Sequence, residues 1–78
     1  MFAMRPRILP QLLKTLKRLR EDAGLTQEQF AERAKMSYKY YQQIEAGRKS
    51  DLRLSTLEKL ARAHGITLSR LLNEERKI

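Results

Sequence analysis

The sequence predicts an all-α domain, a compact bundle of five short helices, and three observations carry that prediction. Apolar residues recur at three- and four-residue spacing through most of the chain, the period of a helix with one buried face. Helix-stopping glycines at 24, 47 and 65 divide the chain, and Thr26, Ser37 and Thr67 stand where new helices start. No segment alternates apolar and polar residues as a half-buried strand would.

The elements follow in order. Residues 1–9 read as a basic N-terminal arm punctuated by Pro6 and Pro10, and Pro10 suits the first turn of a helix. Leu12, Leu13, Leu16, Leu19 and Ala23 then form the inner face of a first helix ending at Gly24. Thr26 and Gln29 have the spacing of a capping box, and Phe30, Ala31 and Ala34 line the second helix. A turn at Lys35-Met36 leads to Ser37, which caps a third helix over Tyr38–Ala46 with Tyr41 and Ile44 inward. Arg48–Arg53 is a basic loop. The fourth helix, about Leu54–His64, turns Leu54, Leu57, Leu60, Ala61 and Ala63 inward, and Ser55 with Glu58 suggests a second capping box. Thr67 caps a fifth, Leu68–Asn73, which inserts Leu68, Leu71 and Leu72. The expected organisation is an arm at 1–9, one domain at 10–74 and a tail at 75–78.

Seventy-eight residues allow a single domain with a modest core, and the chain has no cysteine to staple it. Thiolate zinc sites are thereby excluded, and the lone His64 reads as a surface residue favoured by a helix C-terminus. No cofactor or metal is expected. Seventeen Lys and Arg against nine Asp and Glu give a net charge of +8, the footprint of a phosphate binder. The same charge also suits an anionic membrane surface or an acidic protein. Apolar runs are too short for a transmembrane span or a signal peptide, so a cytoplasmic location is expected. An enzyme finds no support: there is no paired-carboxylate motif, cysteine nucleophile or glycine-rich phosphate loop, and nothing links Ser37 with His64.

The informative segment is Leu25–Gly47, LTQEQFAERAKMSYKYYQQIEAG. Ala31 is small where two helices must cross closely, and the short connection permits only a sharp turn. With Tyr41 and Ile44 buried, Tyr38, Lys39, Gln42 and Gln43 face outward on the third helix, which suits insertion in a major groove.

These residues resemble the phage 434 and lambda repressor and Cro-like helix-turn-helix family. The resemblance runs from about Leu16 to Asn73 and includes RExxGLTQ at Arg20–Gln27, IExG at Ile44–Gly47, TLxxLA in the fourth helix and GITLxxLLN at Gly65–Asn73. It implies a helix-turn-helix in helices two and three that binds double-stranded DNA. By position, Gln27 is implied to contact a backbone phosphate and Tyr38, Lys39 and Gln43 to meet base edges. Tyr40 and Arg53 are implied to lie against the backbone, and Arg20 with Glu45 to form a partly buried ion pair. Thr26, Ser37, Gln42, Arg48 and Lys49 complete the candidate DNA-binding set. For Tyr38 and Tyr40 a solvated surface role stays open, as it does for Arg48 and Lys49.

Two departures from the family pattern stand out. Lys35 occupies the turn position usually held by Gly, which implies a left-handed backbone at a cost of about 1–2 kcal/mol. Three tyrosines, Tyr38, Tyr40 and Tyr41, crowd the reading helix, so base preference does not carry over. The expected function is a sequence-specific transcriptional regulator, a repressor, binding a palindromic operator as a homodimer. Leu52, Leu68 and Leu72 are the candidate dimer surface. The alternative is an antitoxin or adaptor whose main ligand is another protein, a toxin or a second regulator; charge-driven, non-specific nucleic-acid binding is a third. No small-molecule effector is expected.

Overall fold

A computed structural model of the chain describes residues 8–49 and 51–73. Its elements are α1 (Ile8–Asp22), α2 (Gln27–Arg33), α3 (Tyr38–Glu45), α4 (Leu54–Ala63) and α5 (Leu68–Asn73), with no strand among the described residues. α1 begins at Ile8, so Pro10 is its third residue and still in the first turn, where its missing N–H costs nothing. Residues 1–7 of the expected arm, and the tail, lie outside the described residues.

Four of these helices end in one motif. After α1, the Gly24 N–H bonds to the Glu21 carbonyl at 3.0 Å and the Leu25 N–H to the Arg20 carbonyl at 3.1 Å. The same pair of bonds recurs at Lys35 and Met36, at Gly47 and Arg48, and at Gly65 and Ile66. This is a Schellman motif, which requires a left-handed residue and satisfies two orphan carbonyls. Gly24, Gly47 and Gly65 take φ of 72°, 77° and 72°. Lys35 takes φ 59°, the left-handed conformation expected of it.

Three of the motifs run straight into the next helix. Leu25, Met36 and Ile66 follow the left-handed residue and tuck against the core. The residue after each is an N-cap: Thr26 accepts from the Gln29 N–H, Ser37 from the Tyr40 N–H and Thr67 from the Arg70 N–H, all at 3.1 Å. Gln29 returns its side-chain oxygen to the Thr26 N–H at 2.9 Å, completing the capping box. The second expected box is absent. Arg53, not a Ser or Thr, precedes α4 and makes no side-chain cap, and Ser55 is exposed one residue inside the helix.

The core is built from Leu12 and Leu16 of α1, Phe30, Ala31 and Ala34 beside α3's Tyr41 and Ile44, and Leu57, Leu60, Ala61 and Leu71 of the last two helices. α1 runs through the middle, touching α3 and α5, while α2 packs on α3 and α4 on α5. The Phe30 and Tyr41 rings meet at 4.9 Å, tilted by 53°. Each large side chain withdrawn here contributes about 1.5–3 kcal/mol.

Several expectations about facing are corrected. Leu54 is 63% exposed, because as the first residue of α4 it precedes the turn that packs. Ala23 is exposed, since α1 has already ended. Leu52, expected on a dimer surface, is buried and anchors the loop before α4 to the core. His64 is not a surface residue. It is half-buried with its ring stacked on Phe30 at 4.3 Å and 20°, and its Nε2 is buried without a hydrogen-bond partner among the described residues. Burial first, and the nearby Arg33 charge second, hold its pKa below the ordinary 6.5.

Two stability measurements follow. Lys35→Gly relieves the left-handed side chain and is expected to add about 0.5–1 kcal/mol, roughly 2–8 °C in melting temperature, after the extra entropy of the unfolded glycine is subtracted. Lys35→Ala gives no such gain. For His64, the unfolded chain takes up a proton before the folded one, so stability is complete above the unfolded pKa and falls as pH drops below 6.5 toward the lower folded value. Denaturant titrations between about pH 7 and 5 should show this decline in the wild type and a flatter profile in His64→Phe.

Candidate nucleic-acid interface

The interface is organised around one carboxylate. Glu45, the last residue of α3, receives a fork from Arg20 of α1: Nε donates to Oε2 at 2.7 Å and Nη2 to Oε1 at 3.2 Å. Gln27, the first residue of α2, donates from Nε2 to Oε1 at 2.9 Å. Tyr41, one turn back on α3, donates its hydroxyl to Oε2. The remaining Arg20 nitrogen, Nη1, donates to the Leu25 carbonyl at 2.8 Å in the turn between α1 and α2. Three helices and a turn therefore meet on one side chain. The Arg20 and Glu45 side chains are only 11% and 4% exposed.

The electrostatics agree with the geometry. Burial alone would raise the Glu45 carboxyl, but hydrogen bonds from Arg20, Tyr41 and Gln27 outweigh it and hold the group below its usual 4.5. The bond to Glu45 raises the Arg20 guanidinium further, against its burial. Burial, and then the bond to Glu45, push the Tyr41 phenol well above its ordinary range. Tyr41 is fully buried and belongs to the core, as its spacing to Ile44 predicts.

With Tyr41 and Ile44 buried, the helical period sets Lys39, Gln42 and Gln43 on the far side of α3. Lys39 and Gln42 are exposed and Gln43 is partly covered. Two tyrosines bound this face on either flank. Tyr38 is 43% exposed, and its hydroxyl accepts from Gln42 Nε2 at 3.3 Å. Tyr40 is half-buried, with Lys49 Nζ 5.4 Å from its ring centroid, a cation–π contact tying the basic loop to α3.

The two flanks differ in charge. Beside Tyr38 lies a groove of about 420 Å³ whose lining includes Glu28 and Glu32, which repels phosphate. Beside Tyr40 lie Lys49 and exposed Arg48, and Arg53 follows on the loop held down by Leu52. Thr26 and Ser37 are both exposed, with their hydroxyl oxygens engaged as caps. Gln27 has one amide hydrogen on Glu45, which leaves a second for an outside acceptor. The sequence reading paired Arg20 with Glu45 but missed that Gln27 and Tyr41 share the same carboxylate. The i,i+4 spacing of Tyr41 and Glu45 was the available signal.

The helix-turn-helix family model matches residues 16–71, spanning the second half of α1 through most of α5. The chain belongs to that family, of the Cro/C1 type, and is a DNA-binding transcription regulator. Members of the family are generally not enzymes. No curated protein matches the chain. No described helix is long and apolar enough to cross a membrane, and no group of three or more His, Cys, Asp or Glu among the described residues is placed to hold a metal ion.

Glu45→Gln tests the shared carboxylate. It leaves a buried guanidinium without its counter-charge, and chemical denaturation should show a loss of about 3 kcal/mol or more. Tyr41→Phe removes one hydrogen bond of the four and should cost about 1–2 kcal/mol. The reverse order would show that the aromatic packing, not the carboxylate, holds α3 in place.

Proposed function

We propose that the chain represses transcription by binding a two-fold symmetric operator as a homodimer inside the cell. The observation that carries this reading is the outward face of α3, where Lys39, Gln42 and Gln43 project from a helix whose end is tied by Glu45 to α1 and α2. A Gln amide pairs bidentately with adenine, and Lys favours guanine O6 and N7. Tyr38 supplies either an aromatic contact to a thymine methyl or a hydroxyl to phosphate. Gln27 and the Arg48, Lys49, Tyr40 and Arg53 flank hold the backbone, and Thr26 and Ser37 bring the amide ends of α2 and α3 toward it.

A single reading helix makes few base contacts, and two half-sites one duplex turn apart double them, which supports the dimer. With Leu52 buried, Leu54 replaces it among the apolar candidates for the dimer surface, beside the half-buried Leu68 and Leu72.

Selection from a random duplex library should return a two-fold symmetric consensus. Lys39→Ala with Gln43→Ala should lower affinity for that duplex by roughly a hundredfold or more, at about 1–3 kcal/mol per base contact, with an unchanged melting temperature. An asymmetric consensus would remove the dimer. Unchanged DNA affinity in the double variant, with loss of a protein partner, would make α3 an adaptor surface instead.

A further inference from the structure

A second basic feature lies away from the reading face. The C-terminal end of α2 and the later turns of α4 enclose a cleft of about 350 Å³. Arg33, Lys35, Lys59 and Arg62 line it, Ala34 and Ala63 complete the lining, and no acidic residue takes part. None of the four cations makes an ion pair or a side-chain hydrogen bond among the described residues. Four like charges around one concavity repel each other, and folding gains nothing from that.

Part of this charge has a local explanation. Arg33 and Arg62 stand in the last turns of α2 and α4, where a cation complements the helix dipole. That account does not reach Lys59 in the body of α4. Nor does it reach Lys35, which adopts φ 59° where the three equivalent helix ends have glycine. A strained lysine at the mouth of a cationic cleft is an observation pointing to use.

We propose that this cleft binds a short acidic segment of a partner protein, with Arg33, Lys35, Lys59 and Arg62 gripping its carboxylates and the two alanines receiving an apolar side chain. Three observations select that occupant. The cleft has the volume of a small ligand pocket, enough for a few side chains and too small for a convex duplex. Its Ala34 and Ala63 methyls, with the aliphatic stems of the lysines, offer apolar contact that a phosphate backbone has no means to use. Finally, Glu28 and Glu32 lie on the side of α2 opposite Phe30, between the groove beside Tyr38 and Arg33. This acidic ridge breaks the path of any phosphate strand running from the reading face into the cleft. The protein can therefore hold DNA on one side and an acidic partner on the other.

The test uses fluorescence anisotropy of a short fluorescein-labelled peptide alternating Glu and Leu, added to the full chain at physiological salt. The peptide should bind saturably, and Lys59→Gln with Arg62→Gln should weaken it roughly tenfold or more. Lys14→Gln with Lys17→Gln, an equal charge loss on the exposed side of α1, should change it by less than about twofold. Amide shifts on peptide addition should concentrate at Ala34, Ala63 and His64. Protein saturated with duplex DNA should bind the peptide unchanged. Equal weakening in the two double variants would reduce the effect to net charge and overturn the proposal. So would non-saturable binding, displacement of the peptide by DNA, or a loss of DNA affinity confined to the cleft variant. The peptide result stands whether or not the operator is symmetric, so its failure is separable from that of the dimeric repressor reading.

Discussion

The Glu45 carboxylate is the constraint on which the rest of the arrangement depends. A reading helix is useful only if its angle to the rest of the domain is fixed, and α3 has only eight residues. Such a helix is marginal alone. Its inner face is held by Tyr41 and Ile44, but apolar packing is tolerant of small rotations. The Arg20 fork is not, because both nitrogens must align with both oxygens. Gln27 and Tyr41 then fill the remaining lone pairs, so the buried charge is satisfied and α2, α3 and α1 share one registration point.

Around that point the chain reuses one solution for its corners. A left-handed residue closes the outgoing helix, an apolar residue plugs the core, and a hydroxyl caps the incoming helix. Gly24-Leu25-Thr26 and Gly65-Ile66-Thr67 do this without strain, and Lys35-Met36-Ser37 does it with strain. The corner after α3 departs from the pattern, because Arg48 stands where the plug would be. There the chain instead runs on as a basic loop until Leu52 re-enters the core. That departure exposes Arg48 and Arg53 and sets Lys49 over Tyr40.

Charge is therefore distributed by architecture and not only by composition. The excess of +8 is divided between the loop flanking α3 and the cleft between α2 and α4, with Glu28 and Glu32 separating them. His64 sits beneath the second of these, stacked on Phe30 and feeling Arg33. A residue that sequence alone places in solvent thus becomes a neutral core imidazole beside a cationic surface.

The sequence by itself determined what short-range physics controls. Helical period revealed the five helices and most of the core, and Ser, Thr and Gly placed the corners within a residue or two. The left-handed Lys35 was legible because the resemblance marked its position as a glycine. The Arg20 and Glu45 pair came from that resemblance and not from periodicity. Only the tertiary structure decided matters that depend on residues far apart in the chain. Gln27 reaches Glu45 across 18 positions, and no local pattern encodes that bond. Leu52 and Leu54 exchanged their expected roles because a two-residue difference at a helix start reverses facing. The cleft joins Arg33 and Lys35 to Lys59 and Arg62, and no window on the sequence holds all four. The five-helix fold thus rests on local periodicity and capping, whereas the carboxylate tie and the two charged surfaces exist only once the helices have packed.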